Sequence, residues 1–372
     1  MDVPVPFLDV AAAVRELRPE IDAALDRVLS AGHFVLGSEV EAFEQEFAGY
    51  VGANHCVGVN SGLDALTLGL RALGVGPGDD ALVPSNTFVA TWLAVSACGA
   101  RPVPVEPDPR TFTLDPELLE QALTPRTKVV LPVHLYGQPA DMESVLAFAR
   151  SHGLVVLDDA AQAHGARRGD SRIGATADAT AWSFYPGKNL GALGDAGAVT
   201  TAHADVAQRL RLLRNYGSAS KYVHDVKGTN SRLDEVQAAV LRVKLPRVDG
   251  WNERRAAVAT TYDEAFSDLP LTLPQVDPGG TPVWHLYVVR HPHRDDLQAE
   301  LTRQGVATLV HYPVPPHRQG AYADLDLGAL ELAERLAGEV LSLPIGPHLS
   351  EDQIAETVQA VRTATLRVEQ RR

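Results

Sequence analysis

The chain has 372 residues, 45% of them hydrophobic and 22% charged, a globular composition long enough for a large core in two lobes. Its 33 Lys+Arg against 47 Asp+Glu give a formal charge of −14, which argues against a nucleic-acid or anionic-membrane surface while leaving room for an anionic small substrate held by a few local donors. Two cysteines, Cys56 and Cys98, make neither a disulfide framework nor a metal cluster and fit a reduced, cytoplasmic setting. The start MDVPVPFLDV lacks a basic n-region and an apolar h-region, which predicts no secretory signal, and no apolar run reaches the ~18 residues that span a bilayer.

Val10 to Tyr50 reads as two helices. AAAVRELRPEIDAALDRVLSAG ends in glycine, and SEVEAFEQEFAGYVG opens on a serine cap and closes likewise. Short apolar runs then alternate with helical segments: CVGVNSG and LDALTLGLRALG, ALVPS and TFVATWLAVSACG, RPVPVEP and PELLEQAL, KVVLPVHLYG and MESVLAFARSHG. LVVLDDA, ATAWSF and AGAVTT follow. This rhythm predicts an α/β sheet, mostly parallel and covered on both faces, with its ligand crevice beyond the carboxyl ends of the strands. HADVAQRLRLLRNYG and RLDEVQAAVLRVKLPRV read as helices, the second with a core stripe at Leu233, Val236, Val240 and Val243. A long helix is predicted over Val248–Phe266. After the Pro- and Gly-rich LPLTLPQVDPGGTP come a strand (VWHLYVVR), a helix (DDLQAELTRQG), a strand (VATLVHYPV) and a final amphipathic helix (EDQIAETVQAVRTATLRVEQ). The organisation is a large domain over 1–249 and a smaller α+β domain over 250–372.

Neither glycine-rich stretch is a nucleotide fingerprint. GLRALGVGPGDD follows a helix instead of a strand, and YPGKNLG has Asn189 after its lysine and Trp182 where a P-loop needs glycine. VNSGLDAL is different. A strand ends at Val59, and Asn60, Ser61 and Gly62 lead into a helix whose first N–H groups suit a phosphate; a plain helix cap by Ser61 or Asn60 is the alternative. LVVLDDAAQAHG puts Asp158 and Asp159 at a strand end, either as acid in the crevice or as charge at a helix N-terminus. A metal on Asp158, Asp159 and His164 lacks further ligands at metal spacing. HPHR and HYPVPPH fit a solvated loop or a substrate contact better than a metal.

Lysine is scarce in this chain, and Lys188 stands in SFYPGKNLGALGDAGA among aromatics and four glycines, Gly187, Gly191, Gly194 and Gly197. Partial burial there disfavours its ammonium form and makes the amine fit to form a Schiff base with a carbonyl. A snorkelling edge lysine is the bland alternative, and it leaves the glycines unexplained. In chain order stand a phosphate-binding helix start, an aspartate at a strand end, then a lysine. Pyridoxal phosphate needs those three parts: N–H groups for its phosphate, a carboxylate for its pyridine nitrogen, an amine for its aldehyde.

The same stretches, with GHFVLGSEVEAFEQEFAGYVG, NTFVATWLAVSACGARPVPVEPD, VHLYGQPADM, LRNYGS, NSRLDEVQAA and LSLPIGPHL, resemble the DegT/StrS family of pyridoxal-phosphate-dependent nucleotide-sugar aminotransferases over nearly the whole chain. The resemblance implies the aspartate-aminotransferase fold type I. It makes Lys188 the Schiff-base lysine and proton shuttle, and Asp159 the partner of the pyridinium nitrogen. Gln162 falls to the ring's phenolic oxygen and Phe88 to the stacking aromatic. Ser183, with Ser61 and the backbone of Gly62 and Leu63, falls to the phosphate. Asn230 corresponds to an asparagine that reaches the phosphate from a second subunit, which implies a homodimer with shared sites. Where many family members read Ser-Gly-Thr, this chain reads Ser61-Gly62-Leu63 and loses one hydroxyl.

NSGLDAL, VHLYGQPADM and HYPVPPH resemble the branch that aminates carbon 3 of dTDP-linked 3-keto-6-deoxyhexoses. That branch puts His311 and Tyr312, and with them Tyr185, near the substrate. The implied reaction takes an amino group from L-glutamate, passes through pyridoxamine phosphate, and delivers the amine to the keto sugar, with no metal. A carbon-4 aminotransferase shares every cofactor motif. A dehydratase of this fold carries histidine in place of Lys188. A non-catalytic regulatory homologue has little need of Lys188, Asp159 and Gln162 together.

Overall fold

A computed structural model of the chain describes residues 5–220 and 222–371. Lys221 and the first four residues of the stretch read for a secretory signal lie outside that range. The expected first helix is split into α1 (Ala12–Glu16) and α2 (Arg18–Ala31), because Pro19 is accommodated only in a first helical turn. α3 (Ser38–Val51) has Gly37, not Ser38, at its cap, without a side-chain cap. Its orphan N–H groups are served from a distance: the Glu235 carboxylate accepts from Gly37 N (2.8 Å), Glu39 N (3.0 Å) and Val40 N (3.0 Å).

The alternating region then runs β1 (His55–Val59), α4 (Gly62–Ala72), β2 (Asp80–Pro84), α5 (Val89–Ala97), β3 (Arg101–Val105), α6 (Leu119–Ala122), β4 (Thr127–Val130), α7 (Met142–His152) and β5 (Val155–Asp159). The short β6 (Arg167–Arg168) and β7 (Ser171–Arg172) precede β8 (Ala179–Ser183) and β9 (Gly197–Thr201). Seven of these strands form one sheet in the order β1-β9-β8-β5-β4-β2-β3. β9 is antiparallel to both neighbours, and the other pairs are parallel. Six strands thus share one direction, and their carboxyl ends share one edge.

Strand alternation feeds two cores. Leu82, Val130, Val156 and Trp182 pack one face, beneath Phe43 and Phe47 of α3 and Val145 of α7. Ala81, Val83, Leu157 and Val199 pack the other, beneath Leu66 and Leu70 of α4 and Val95 of α5. Burial on both faces is why these strands read as apolar runs without alternation.

The chain continues through α8 (Ala204–Arg214), β10 (Ser218–Ser220), β11 (Val223–His224), α9 (Glu235–Lys244), α10 (Val248–Phe266), β12 (Gly280–Thr281), β13 (Tyr287–Arg290), α11 (Arg294–Arg303), α12 (Glu331–Glu339), β14 (Val340–Leu343) and α13 (Glu351–Gln370). The β10–β11 hairpin falls where the sequence pattern had no strand. The strand expected over VATLVHYPV does not form: Val306 and Leu309 make only isolated bridges, to Val5 and Ser342. Pro313, Pro315 and Pro316 remove the donors a strand needs there. VWHLYVVR is strand only from Tyr287, paired antiparallel with β14. A third core joins Tyr262 and Phe266 of α10 to Val289, Leu341, Leu301 and Val361.

Candidate active site

The site is built at the carboxyl edge of the large sheet. Asp159 closes β5 and is 6% exposed. Its Oδ1 accepts from Ala161 N (3.1 Å) and its Oδ2 from Thr91 Oγ1 (2.9 Å). Burial pushes this carboxyl up; those two bonds and the Lys188 charge oppose the rise. Asp158, one residue earlier, points to the other face. Fully buried, it lies 3.5 Å from His134 Nε2, long for a hydrogen bond, and 3.4 Å from Thr180 Oγ1. Only Asp159 of the acidic pair therefore serves the crevice.

Lys188 follows β8 by one turn, closed by Lys188 N donating to Tyr185 O (2.8 Å) and Ala192 N to Phe184 O (2.8 Å). Burial lowers its amine to about 8, against the pull of the Asp159 charge. Two of the four glycines are sterically required. A Cβ on Gly191 would sit 2.4 Å from Pro186 O, and one on Gly197 2.4 Å from Ser61 O; Gly187 and Gly194 have ordinary or flexible neighbours. Lys244, at the end of α9, clamps this turn from outside through Nζ to Gly191 O (2.6 Å).

Ser61 caps α4, its Oγ accepting from Asp64 N (3.1 Å). The plain helix-cap reading of Ser61 is thus realised, and its oxygen is partly committed. The first helical bond runs from Ala65 N to Ser61 O, so the N–H groups of Gly62 and Leu63 precede the helical ladder. A Cβ on Gly62 would lie 2.6 Å from Ser183 Cβ. Gly62 packs on Ser183 and Gly197 on Ser61, forming a floor in which neither glycine position admits a side chain.

The remaining expected residues split into two groups. Gln162 Oε1 accepts from Tyr136 N (2.6 Å), and its Nε2 donates to Tyr312 Oη (3.2 Å). The Tyr312 ring lies 5.1 Å from Phe88, which is half-exposed at the start of α5. Burial pushes the Tyr312 phenol up. His311 bonds Ser342 Oγ through Nδ1 (2.8 Å), its carbonyl accepts from Tyr136 Oη, and burial together with Lys188 lowers it to about 4. Tyr185 stands exposed beside the lysine turn. Asn230 is set apart: it is exposed, at the base of the β10–β11 hairpin, with its backbone bridging to Asn215.

Sequence reasoning missed Thr91 and Tyr136. Thr91 carried one signal, its position three residues after Phe88 on the same helix. Tyr136 carried none, because a loop brings it in. His164, one of the three metal candidates, is packed beside Trp182 (5.4 Å) and Phe184 (5.6 Å), and burial lowers it to about 3. Among the described residues no three His, Cys, Asp or Glu are grouped to hold a metal.

The residues present fit pyridoxal phosphate. Asp159 takes one hydrogen bond on each oxygen and keeps acceptor capacity for a pyridinium N–H. At Gly62 the start of α4 packs directly on Ser183, which sets the Ser183 hydroxyl beside the N–H groups of Gly62 and Leu63 as donors for a phosphate. An amine lowered to about 8 suits carbonyl chemistry.

Known proteins agree. Residues 15–362 match the DegT/DnrJ/EryC1/StrS aminotransferase family. The erythromycin biosynthesis sensory transduction protein EryC1 of Saccharopolyspora erythraea is 59% identical, over 96% of this chain and 99% of that one. A dTDP-3-amino-3,4,6-trideoxy-alpha-D-glucose transaminase of Streptomyces venezuelae is 56% identical, over 98% and 97%. The crystal structure of S. venezuelae DesV in complex with a ketimine intermediate superposes with a TM-score of 0.95 at 57% identity, covering 96% of this chain and 98% of that one. With a fold type I scaffold carrying Lys188, Asp159 and the Gly62–Ser183 floor at one sheet edge, the chain belongs to the DegT/DnrJ/EryC1/StrS family and is a pyridoxal-phosphate-dependent aminotransferase.

Proposed function

We propose that the chain moves the amino group of L-glutamate to carbon 3 of a dTDP-linked 3-keto-6-deoxyhexose, giving a 3-amino-3,6-dideoxy sugar. The observation that carries the chemistry is the convergence of Lys188, Asp159 and the Gly62–Ser183 floor on one edge of the sheet. The carbon-3 reading is supported by the 56% identity to an enzyme named for a dTDP-3-amino sugar. The EryC1 name is a regulatory one, yet the lysine and aspartate kept here are those that transamination requires.

Pyridoxal phosphate, when bound, joins the amine of lysine or donor through its aldehyde and draws off the electron pair released at the neighbouring carbon. The chain supplies the rest. The N–H groups of Gly62 and Leu63, with the Ser61 and Ser183 hydroxyls, hold the phosphate at the positive end of α4. Asp159 holds a proton on the pyridine nitrogen, Gln162 meets the phenolic oxygen, and Phe88 covers one ring face. Lys188 Nζ would take the proton from the donor's α-carbon and deliver it to C4′ of the cofactor, acting as base and then acid. Tyr185, His311 and Tyr312 face the sugar.

Asn230 reaches the phosphate of a second copy, so the working unit is a homodimer. Exposed Phe34, Val35, Leu193, Tyr216, Val223 and Val226 supply apolar surface for it. The same reading divides the chain into domains over 1–249 and 250–372. It places the enzyme in the cytoplasm, where its two buried free thiols stay reduced; no helix among the described residues is long and apolar enough to cross a membrane.

Lys188→Ala is expected to abolish both the visible absorbance of lysine-bound cofactor and turnover, and normal transamination by that variant sinks the assignment. Assaying dTDP-linked 3-keto and 4-keto sugars with L-glutamate separates carbon 3 from carbon 4; a preference for the 4-keto sugar overturns the regiochemistry alone.

A further inference from the structure

Thr91 is a buried hydroxyl outside the contacts assigned to cofactor and sugar, yet it grips Asp159 directly. It stands on α5 one turn after Phe88, and its Oγ1 donates to Asp159 Oδ2 (2.9 Å). A hydroxyl carries a single proton. With that proton given to the carboxylate, the contact between Thr91 Oγ1 and Thr87 Oγ1 (3.1 Å) has only one possible direction: Thr87 donates and Thr91 accepts. The result is a two-step relay, Thr87 to Thr91 to Asp159. Both threonines are sealed from solvent, at 2% and 0% exposure.

The opposite grip is Ala161 N, which donates to Asp159 Oδ1 (3.1 Å). The backbone is pinned as well: Asp159 N donates to Pro132 O (2.9 Å), and Asp159 O accepts from His134 N (3.0 Å). One donor per oxygen, from α5 on one side and the loop after β5 on the other, fixes the plane of the carboxylate. Both donors are neutral groups, a hydroxyl and a backbone N–H. Burial favours the neutral acid at this position, and hydrogen bonds to the ionised form oppose it. In such a low-dielectric setting a donor that itself accepts a hydrogen bond is strengthened, which gives Thr87 its place in the relay.

We propose that Thr91, oriented by Thr87, is a positioning residue for Asp159: its hydroxyl holds the carboxylate charged and fixed in plane, so that the acceptor capacity left over meets the pyridine nitrogen of bound pyridoxal phosphate and keeps a proton there. Thr87 matters because it occupies a lone pair of Thr91 and so keeps the Thr91 proton turned to Asp159. Phe88 opens the same helix, so a single turn of α5 sets both the face of the ring and, through Asp159, its nitrogen. The inference rests on Asp159 being the partner of that nitrogen.

The test uses holoenzyme reconstituted with cofactor carrying 15N in the pyridine ring, whose chemical shift reports whether the nitrogen is protonated. Thr91→Val keeps the side-chain shape and removes the donor. Without the hydroxyl the carboxylate binds a proton more tightly, and the proton it draws comes from the ring nitrogen. The 15N signal in Thr91→Val is therefore expected to move towards that of unprotonated pyridine. The donor half-reaction with L-glutamate is expected to slow by about tenfold or more, with donor KM changed by less than about twofold. Thr91→Ser, which keeps the donor, is expected to return both readings towards wild type. An unmoved 15N signal in folded, cofactor-loaded Thr91→Val overturns the proposal, as does equal loss in the Val and Ser variants. If Thr91→Val does not fold, Thr87→Val decides: a smaller shift in the same direction supports the relay, and an unmoved signal overturns it. A ring nitrogen still protonated in an active Asp159→Asn would instead sink the parent reading of Asp159, so the two failures are distinct.

Discussion

Lys188 shows what one residue's surroundings decide. Its type and its glycine-rich neighbours were legible in the sequence; the magnitude of its shift was not, because burial and Asp159 act on it in opposite directions. Lys188 must be unprotonated to remove a proton, and burial brings its amine to about 8. The donor half-reaction is therefore expected to quicken as pH rises through about 8 and to level off above it. Single-turnover rates with L-glutamate across that range check this, and a flat profile contradicts the assigned base. His164 is the converse case. It reads as a metal candidate beside two carboxylates, but it packs against Trp182 and Phe184, and Asp158 points away from Asp159. Alternation along β5 separates what adjacency in sequence joins.

At the scale of elements, the decisive feature is how α4 leaves β1. Ser61 closes the helix start, Gly62 abuts Ser183, and the next N–H groups stay outside the helical ladder. Gly62→Ala would drive a methyl into Ser183 Cβ, because an ideal Cβ sits 2.6 Å from that atom. The expected outcome is a loss of cofactor affinity of about tenfold or more, with secondary structure intact, measured by cofactor release on dialysis and far-UV circular dichroism. Leu63→Thr restores a hydroxyl at the same turn and is expected to tighten retention or leave it unchanged. Elsewhere the local signals yielded to distant ones. α3 lacks its serine cap because Glu235, far along the chain, supplies the carboxylate. The prolines after Tyr312 forbid the strand that the apolar pattern over 306–314 invited.

At the scale of the whole molecule, Asn230 stands apart from the residues gathered at the sheet edge. In a shared site, Lys188→Ala and Asn230→Ala damage different halves of each site. Mixed dimers of the two variants then contain one site with both defects and one with neither. Activity is expected to return on co-refolding or co-expression of the two weak variants, measured as turnover against each variant alone; failure to complement, with mixed dimers demonstrated, contradicts shared sites. The α/β rhythm, the long helix over Val248–Phe266 and the placement of Lys188, Asp159 and Gly62 at strand ends were legible in the chain alone. Those signals are local: periodicity of two faces, strand ends, and residue types that only certain chemistry needs. Folding in three dimensions is what brings Thr91 and Ala161 onto Asp159 and sets Tyr136 and Tyr312 on either side of Gln162. Those contacts join residues up to 150 positions apart, and no local pattern encodes which loop will meet which strand end.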